Sequence, residues 1–222
     1  MTCDIRNTIA ARVAKELKDG QVVNLGIGIP TYVANHIPEH VSVIFHGENG
    51  ILGIGPQSAP TEEDSNIFDA GGMPITIVPG GCYLDSAESF ALIRSGRVDV
   101  TVLGALQVDE RGDLANWTIP GKMTVGFGGA MDLVACAKTV IVAMEHTNKG
   151  RPKIMKRCTL PLTGAGCVHY IITEKAFMEV TPGGIVLREV AQGLTVEDVQ
   201  QATEAKLIVP DMVGVMDIVE TI

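Results

Sequence analysis

Short runs of Val, Ile and Leu recur along this chain, and two of them are followed by glycine-rich loops that lead into helical patterns. The first loop is Gly26-Ile27-Gly28, after an apolar run over 21–25 and before Pro30, which opens a helix through residue 37. The second is Gly126-Phe127-Gly128-Gly129, before a helix through Cys136. In an open α/β sheet, ligands bind at the carboxyl ends of strands, facing helix N-termini, and strand–glycine–helix units build such a place. The rest of the chain repeats the alternation. Ile5, Ile9, Val13 and Leu17 make an amphipathic helix over 4–18 that stops at Gly20. Strands are predicted over 41–45, 75–78 (ended by Pro79-Gly80-Gly81), 98–103 and 139–144. Asp85 and Glu88 form a capping box for a helix through Arg94, and another helix covers 195–205. Residues 46–55 read as a glycine-studded loop, 56–70 as polar turns, and Pro182-Gly183-Gly184 as a hairpin tip. With no repeat or linker, residues 1–222 read as a single α/β domain. It has an open, mostly parallel sheet with flanking helices.

Composition narrows the function. Hydrophobic residues at 46% against 19% charged exclude a disordered chain, and 4% aromatics suit a base-stacking surface poorly. Seventeen basic against 26 acidic side chains give a net charge of −9 without a basic run, so no nucleic-acid partner is expected. The five cysteines, Cys3, Cys82, Cys136, Cys158 and Cys167, contain no Cys-x-x-Cys pair and read as reduced thiols of a cytoplasmic protein. The run from Met1 to Arg6 lacks the apolar core of a signal peptide. The longest uncharged stretch, 20–38, carries Asn24, Asn35, Pro30 and three glycines, so no membrane association is expected.

Three segments carry residues suited to chemistry. Residues 24–30 fail as a dinucleotide fingerprint because the third glycine falls at Thr31, although Glu48 lies 20 positions beyond Gly28. Gly121-Lys122-Met123 lacks the Ser or Thr of a phosphate loop. In residues 46–55 a single carboxylate, Glu48, stands among Gly47, Gly50, Gly53 and Gly55. A bulky ligand could approach it closely, or the segment is an ordinary turn. Residues 121–132 turn through Gly126-Phe127-Gly128-Gly129 into a helix, which presents backbone N–H groups to an anion or only packs a helix against a sheet. Cys158, Cys167 and His169 lack zinc spacing, so no metal is expected, and no Gly-x-Ser-x-Gly elbow occurs. His46 and His146 line a pocket or serve structure, and Glu145 faces a cleft or solvent.

Six blocks together resemble a known family. They are Val23-Asn24-Leu25-Gly26-Ile27-Gly28-Ile29-Pro30, Glu48-Asn49-Gly50, Ser89-Phe90-Ala91-Leu92-Ile93-Arg94, Leu114-Ala115-Asn116-Trp117, Gly128-Gly129-Ala130-Met131-Asp132-Leu133 and Cys158-Thr159-Leu160-Pro161-Leu162-Thr163-Gly164. They resemble the β subunit of the class I CoA-transferases, the group of the 3-oxoacid (acetoacetate) CoA-transferases, over nearly the whole chain. The resemblance implies the open α/β sheet shared with sugar-phosphate isomerases. It also implies a nucleophile at Glu48, oxyanion donors at Gly128 and Gly129, and a substrate or CoA pocket at Asn24, Gly26, Gly28, Asn49 and Gly50. Two departures stand out: Gly47 replaces the serine of a Ser-Glu-Asn-Gly motif, and Asp69-Ala70-Gly71-Gly72 lacks the lysine of an Asp-Ala-Gly-Lys stretch. The implied reaction moves CoA between succinyl-CoA or a similar donor and acetoacetate through a glutamyl-CoA thioester. CoA is then a substrate, with no metal or redox cofactor. A separate α subunit is implied, in an α2β2 assembly. Butyrate–acetoacetate, acetate and 3-oxoadipate transferases stay open as alternatives, as do an acyl-CoA hydrolase and a non-catalytic acyl-CoA or sugar-phosphate sensor.

Overall fold

A computed structural model describes residues 4–61, 63–124 and 126–216. Cys3, Val125 and the last six residues of the expected domain lie outside the described residues. Ten strands form one sheet: β1 Val22–Leu25, β2 Ile44–Gly47, β3 Ile51–Gln57, β4 Ile75–Tyr83, β5 Val100–Leu103, β6 Thr139–Ala143, β7 Tyr170–Ile172, β8 Ala176–Thr181, β9 Gly184–Ala191 and β10 Gly214–Met216. Their spatial order is β10-β9-β8-β7-β6-β5-β1-β2-β3-β4. The middle five, β2-β1-β5-β6-β7, are all parallel; antiparallel pairs extend the sheet on both sides, and β10 closes one end parallel to β9. The mostly parallel α/β sheet expected from the sequence is therefore the observed centre of the fold.

The central strands are mostly apolar because both faces are covered. Along β6, Val140 and Val142 join one layer of core, with Ile171, Met178 and Leu187, while Ile141 and Ala143 join the other, with Val100, Val102 and Ile172. Period-two alternation explains the split: successive side chains of a strand leave on opposite faces. Helix α1, Ile5–Ala14, lays Ile9, Ala10, Val13 and Ala14 on the second layer, capped by Asp4, whose side chain accepts from Arg6 N. Helices α2, Ser86–Arg94, and α3, Ala130–Cys136, meet at a third cluster of Ile93, Val98 and Leu133. Both halves of the Asp85/Glu88 capping box form.

Four local expectations are corrected. Residues 46–55 are not a loop but the end of β2, a turn and the start of β3, in register His46↔Leu52 and Gly47↔Ile51. The glycine density that suggested a loop serves strand packing: a Cβ on Gly53 would stand 2.8 Å from Gly81 Cα. Strand β4 continues through Pro79-Gly80-Gly81 to Tyr83, with a shift of register against β3 between Ile77 and Cys82. It is the edge strand, where a proline's missing N–H breaks no ladder. The helix at 30–37 is a 3₁₀ helix, Ile29–His36, in which Thr31 N reaches back to Gly28 O. The helix at 195–205 shortens to α4, Val196–Gln201, behind a Thr195/Asp198 capping box.

Candidate active site

The chain leaves β1 towards β2 on one side and later returns with β5 on the other, so the strand order reverses at β1. Crevices at such reversals lie at the carboxyl ends of the strands. Asn24, in β1, pairs with His46 of β2 and Thr101 of β5, which brings three buried polar side chains into one row. Glu48 follows directly at the tip of the β2–β3 turn, half-buried. Its Oε2 accepts from Asn24 Nδ2 at 3.0 Å, and the same amide nitrogen donates to His46 O at 3.1 Å. Thr101 Oγ1 donates to Asn24 Oδ1 at 3.3 Å. One buried amide therefore orients the carboxylate and is itself oriented from the far side.

The backbone of Glu48 is held separately. Ser89 Oγ, on α2, donates to Glu48 O at 3.1 Å, and His46 Nε2 lies 3.0 Å from the same hydroxyl oxygen. Since the hydroxyl proton is used on Glu48, Nε2–H of His46 is the donor of that second bond. This leaves His46 Nδ1 a buried lone pair without a partner. Burial pushes the His46 imidazole below its ordinary value, against the pull of the Glu48 charge, which keeps that arrangement neutral.

The second glycine segment meets this site. A Cβ on Gly129 would stand 3.2 Å from Glu48 Cγ and 3.4 Å from Phe90 Cζ, so the entrance to α3 packs directly on the carboxylate's stem. Gly129 is the N-cap residue of α3 and is buried, whereas Gly128, at φ +50°, is exposed with open space around it. Phe127 leans edge-on against Trp117 at 5.7 Å.

The remaining expected pocket residues divide. Gly28 is exposed at φ +88° with nothing near its missing side chain, which leaves room for a ligand. Gly26 is small for the sheet's sake: a Cβ there would meet Leu103 Cδ2 at 3.0 Å and Val102 O at 3.1 Å. Gly50 is buried, and its Cβ direction is filled by Leu84 O. Its φ of +110° and Leu84 N→Gly50 O at 2.8 Å serve the turn and its closure. Asn49 is exposed, but its Nδ2 donates to Phe68 O at 2.7 Å. Ser89, Thr101 and Phe90 were given no role from the sequence. Ser89 and Phe90 stand in one of the six resembling blocks, but nothing local gives them or Thr101 a role, since they reach the site only through packing across strands and helices.

The other candidates lie elsewhere. His146 is buried between Thr173 Oγ1 and Thr203 Oγ1. Glu145 is exposed. His169 Nδ1 accepts from Val140 N, and the Cys158 and Cys167 thiols sit near the carbonyls of Asp113 and Gly112. Among the described residues no group of three or more His, Cys, Asp or Glu could hold a metal ion, and no helix is long and apolar enough to cross a membrane.

The chain is 52% identical over 203 residues to the beta chain of a probable coenzyme A transferase of Bacillus subtilis, covering 91% of this chain and 94% of that one. It is 50% identical over 211 residues to one subunit of a probable succinyl-CoA:3-ketoacid coenzyme A transferase from the same organism, covering 95% and 98%. Among solved structures, an acyl-CoA transferase (YdiF) apoenzyme from Escherichia coli O157:H7 matches the fold at a TM-score of 0.77 and 20% identity. The match covers 98% of this chain and 44% of that one. The family model described as coenzyme A transferase matches residues 6–202, and the chain belongs to that family.

Proposed function

We propose that this chain is the β subunit of a short-chain 3-oxoacid CoA-transferase, with Glu48 as the group that carries CoA. The observation that supports it best is the carboxylate of Glu48, bound through Oε2 to the buried Asn24 amide with the Gly129 turn packed on its stem. A carboxylate is the right nucleophile for the task. The ionised Glu48 attacks the acyl-CoA carbonyl, a mixed anhydride forms, and CoA thiolate leaves. The thiolate then attacks the glutamyl carbonyl, the donor acid leaves, and a glutamyl-CoA thioester remains. An acceptor carboxylate attacks this thioester and expels the thiolate, which attacks the acceptor's own carbonyl and frees Glu48. Anhydride and thioester are both activated, so activation passes on at each step. Every attack builds an oxyanion, and the backbone donors at Gly128 and Gly129 are the groups proposed to meet it. One such donor is typically worth about 3 kcal/mol.

The relative named as a succinyl-CoA:3-ketoacid transferase supports succinyl-CoA and acetoacetate as substrates. Both Bacillus subtilis relatives are named as one subunit of an enzyme, and this chain spans less than half of the acyl-CoA transferase it resembles in fold. These facts support a partner chain of α type, in an α2β2 assembly, with residues 1–222 as one β-type domain. On this reading the protein is cytoplasmic, CoA is a substrate, and no metal or redox cofactor takes part.

The test is intact-mass measurement of the co-expressed complex after adding acetoacetyl-CoA without an acceptor. The expected result is a CoA-sized adduct on the Glu48 peptide, absent from Glu48→Gln. Release of CoA without any adduct would overturn the covalent reading.

A further inference from the structure

The residue before the nucleophile is glycine, and its missing side chain has an occupant. A Cβ on Gly47 would stand 2.6 Å from Asn49 Oδ1 and 3.0 Å from Ile54 Cδ1. The Asn49 amide thus folds back over Gly47 and sends Nδ2 to Phe68 O at 2.7 Å. Gly47 does not need positive φ, so backbone conformation does not require glycine there. Space for Asn49 does.

Phe68 begins a closed loop. It bridges Pro74, Asp69 N and Met73 O bond at 2.9 Å, and Asp69 Oδ1 accepts from Gly71 N at 2.8 Å and Met73 N at 2.9 Å. The unit is internally stiff, so one anchor moves it as a body. Its tip touches the other side of the site: a Cβ on Gly71 would lie 3.7 Å from both Ile27 Cγ1 and Cγ2. Ile27 stands three residues beyond Asn24, the Glu48 partner. Ile27, Phe68 and Met73 are large apolar residues left exposed, at 68%, 44% and 49%. They make an apolar wall that runs from the turn of the nucleophile to the loop after β1.

We propose that Asn49 is a positioning residue for this wall, enabled by Gly47, and that the wall selects the acid by the length of its apolar tail. The inference rests on the transferase reading above. It assigns Asn49 to Phe68, not to the bound CoA.

The experiment uses the complex of this chain with its α-type partner and one acyl-CoA donor, with acetate, propionate, butyrate and hexanoate as acceptors. Asn49→Ala is expected to raise KM for acetate and propionate about tenfold, the weight of one hydrogen bond, and to lower kcat less than about threefold. Preference should shift towards hexanoate. Asn49→Ser should repeat the pattern, which guards against a folding defect in one variant. Gly47→Ser should share the pattern alone, and add less than about twofold in the Asn49→Ala background, because both act through one hydrogen bond. An equal loss of kcat with every acid, an unchanged profile, or a full additional effect of Gly47→Ser would overturn the proposal. If the wild-type complex forms no CoA adduct on Glu48, the transferase reading fails and this inference with it. An adduct with an unaltered chain-length profile in Asn49→Ala defeats the wall alone.

Discussion

Asn24 binds Glu48 and the strand that delivers Glu48 with the same nitrogen, at 3.0 Å to the carboxylate and 3.1 Å to His46 O. Removing it frees the Glu48 carboxylate and unties its support together. Asn24→Ala is expected to lower kcat about 30-fold, near 2 kcal/mol. Asn24→Asp should be worse, because two carboxylates would then face each other. Steady-state kinetics of the assembled enzyme check both, and an undiminished kcat in Asn24→Ala would remove the residue from the site.

Gly129 is the contact between the second glycine segment and Glu48. A methyl group there presses on Glu48 Cγ at 3.2 Å and Phe90 Cζ at 3.4 Å, and Gly129 sits at φ −82°, which alanine adopts freely. Gly129→Ala should therefore fold with a melting temperature close to wild type while forming the CoA adduct about tenfold more slowly. A normal adduct rate would mean that Glu48 gives way without cost.

His146 carries a stability switch away from the site. Thr203 Oγ1 donates to Val199 O and so accepts from Nε2–H. Thr173 Oγ1 accepts from the amides of Lys175 and Ala176, and its one proton lies between Nδ1 at 2.9 Å and Ala176 O at 3.3 Å, so it has no lone pair left to accept from the ring. A second ring proton has nowhere to go. Burial first, then the charges of Lys175 and Lys153, hold the imidazole down to about 4 from its ordinary 6.5. The unfolded chain takes the proton first as pH falls. The contribution is complete above pH 6.5 and is lost progressively towards pH 4, in total about 3 kcal/mol. Urea midpoints at pH 7.5, 6 and 4.5 measure it, and His146→Asn should flatten the slope.

Thiol chemistry should follow exposure. Burial pushes the Cys158 thiol up to about 12 and the Cys167 thiol up to about 11, while Cys82 is exposed on the edge strand. Among the described cysteines, Cys82 should be labelled first by a thiol reagent at pH 8, and Cys158 and Cys167 only on unfolding. Peptide mapping after brief labelling decides it.

Much of this was legible before any coordinates. Asp85 and Glu88 announced their helix because a capping box is satisfied within four residues. The strands around Val100 and Val140 were readable as buried because parallel strands covered on both faces are near-continuous apolar runs. Glu48 stood out as a lone carboxylate among glycines. Glycine misled where it had two explanations. Gly53 looked like loop and is strand, packed against Gly81 of another strand.

The order of strands and helices, the apolar centre and the choice of Glu48 as the proposed nucleophile came from the sequence alone, since each depends on neighbours within a few positions or on a pattern along one element. The setting of that residue did not. Ser89 reaches Glu48 from 41 residues away, and Thr101 reaches Asn24 from 77. Those meetings depend on the register of β1 against β2 and β5 and on where α2 and α3 settle on the sheet. That is long-range packing, which no local run of residues encodes.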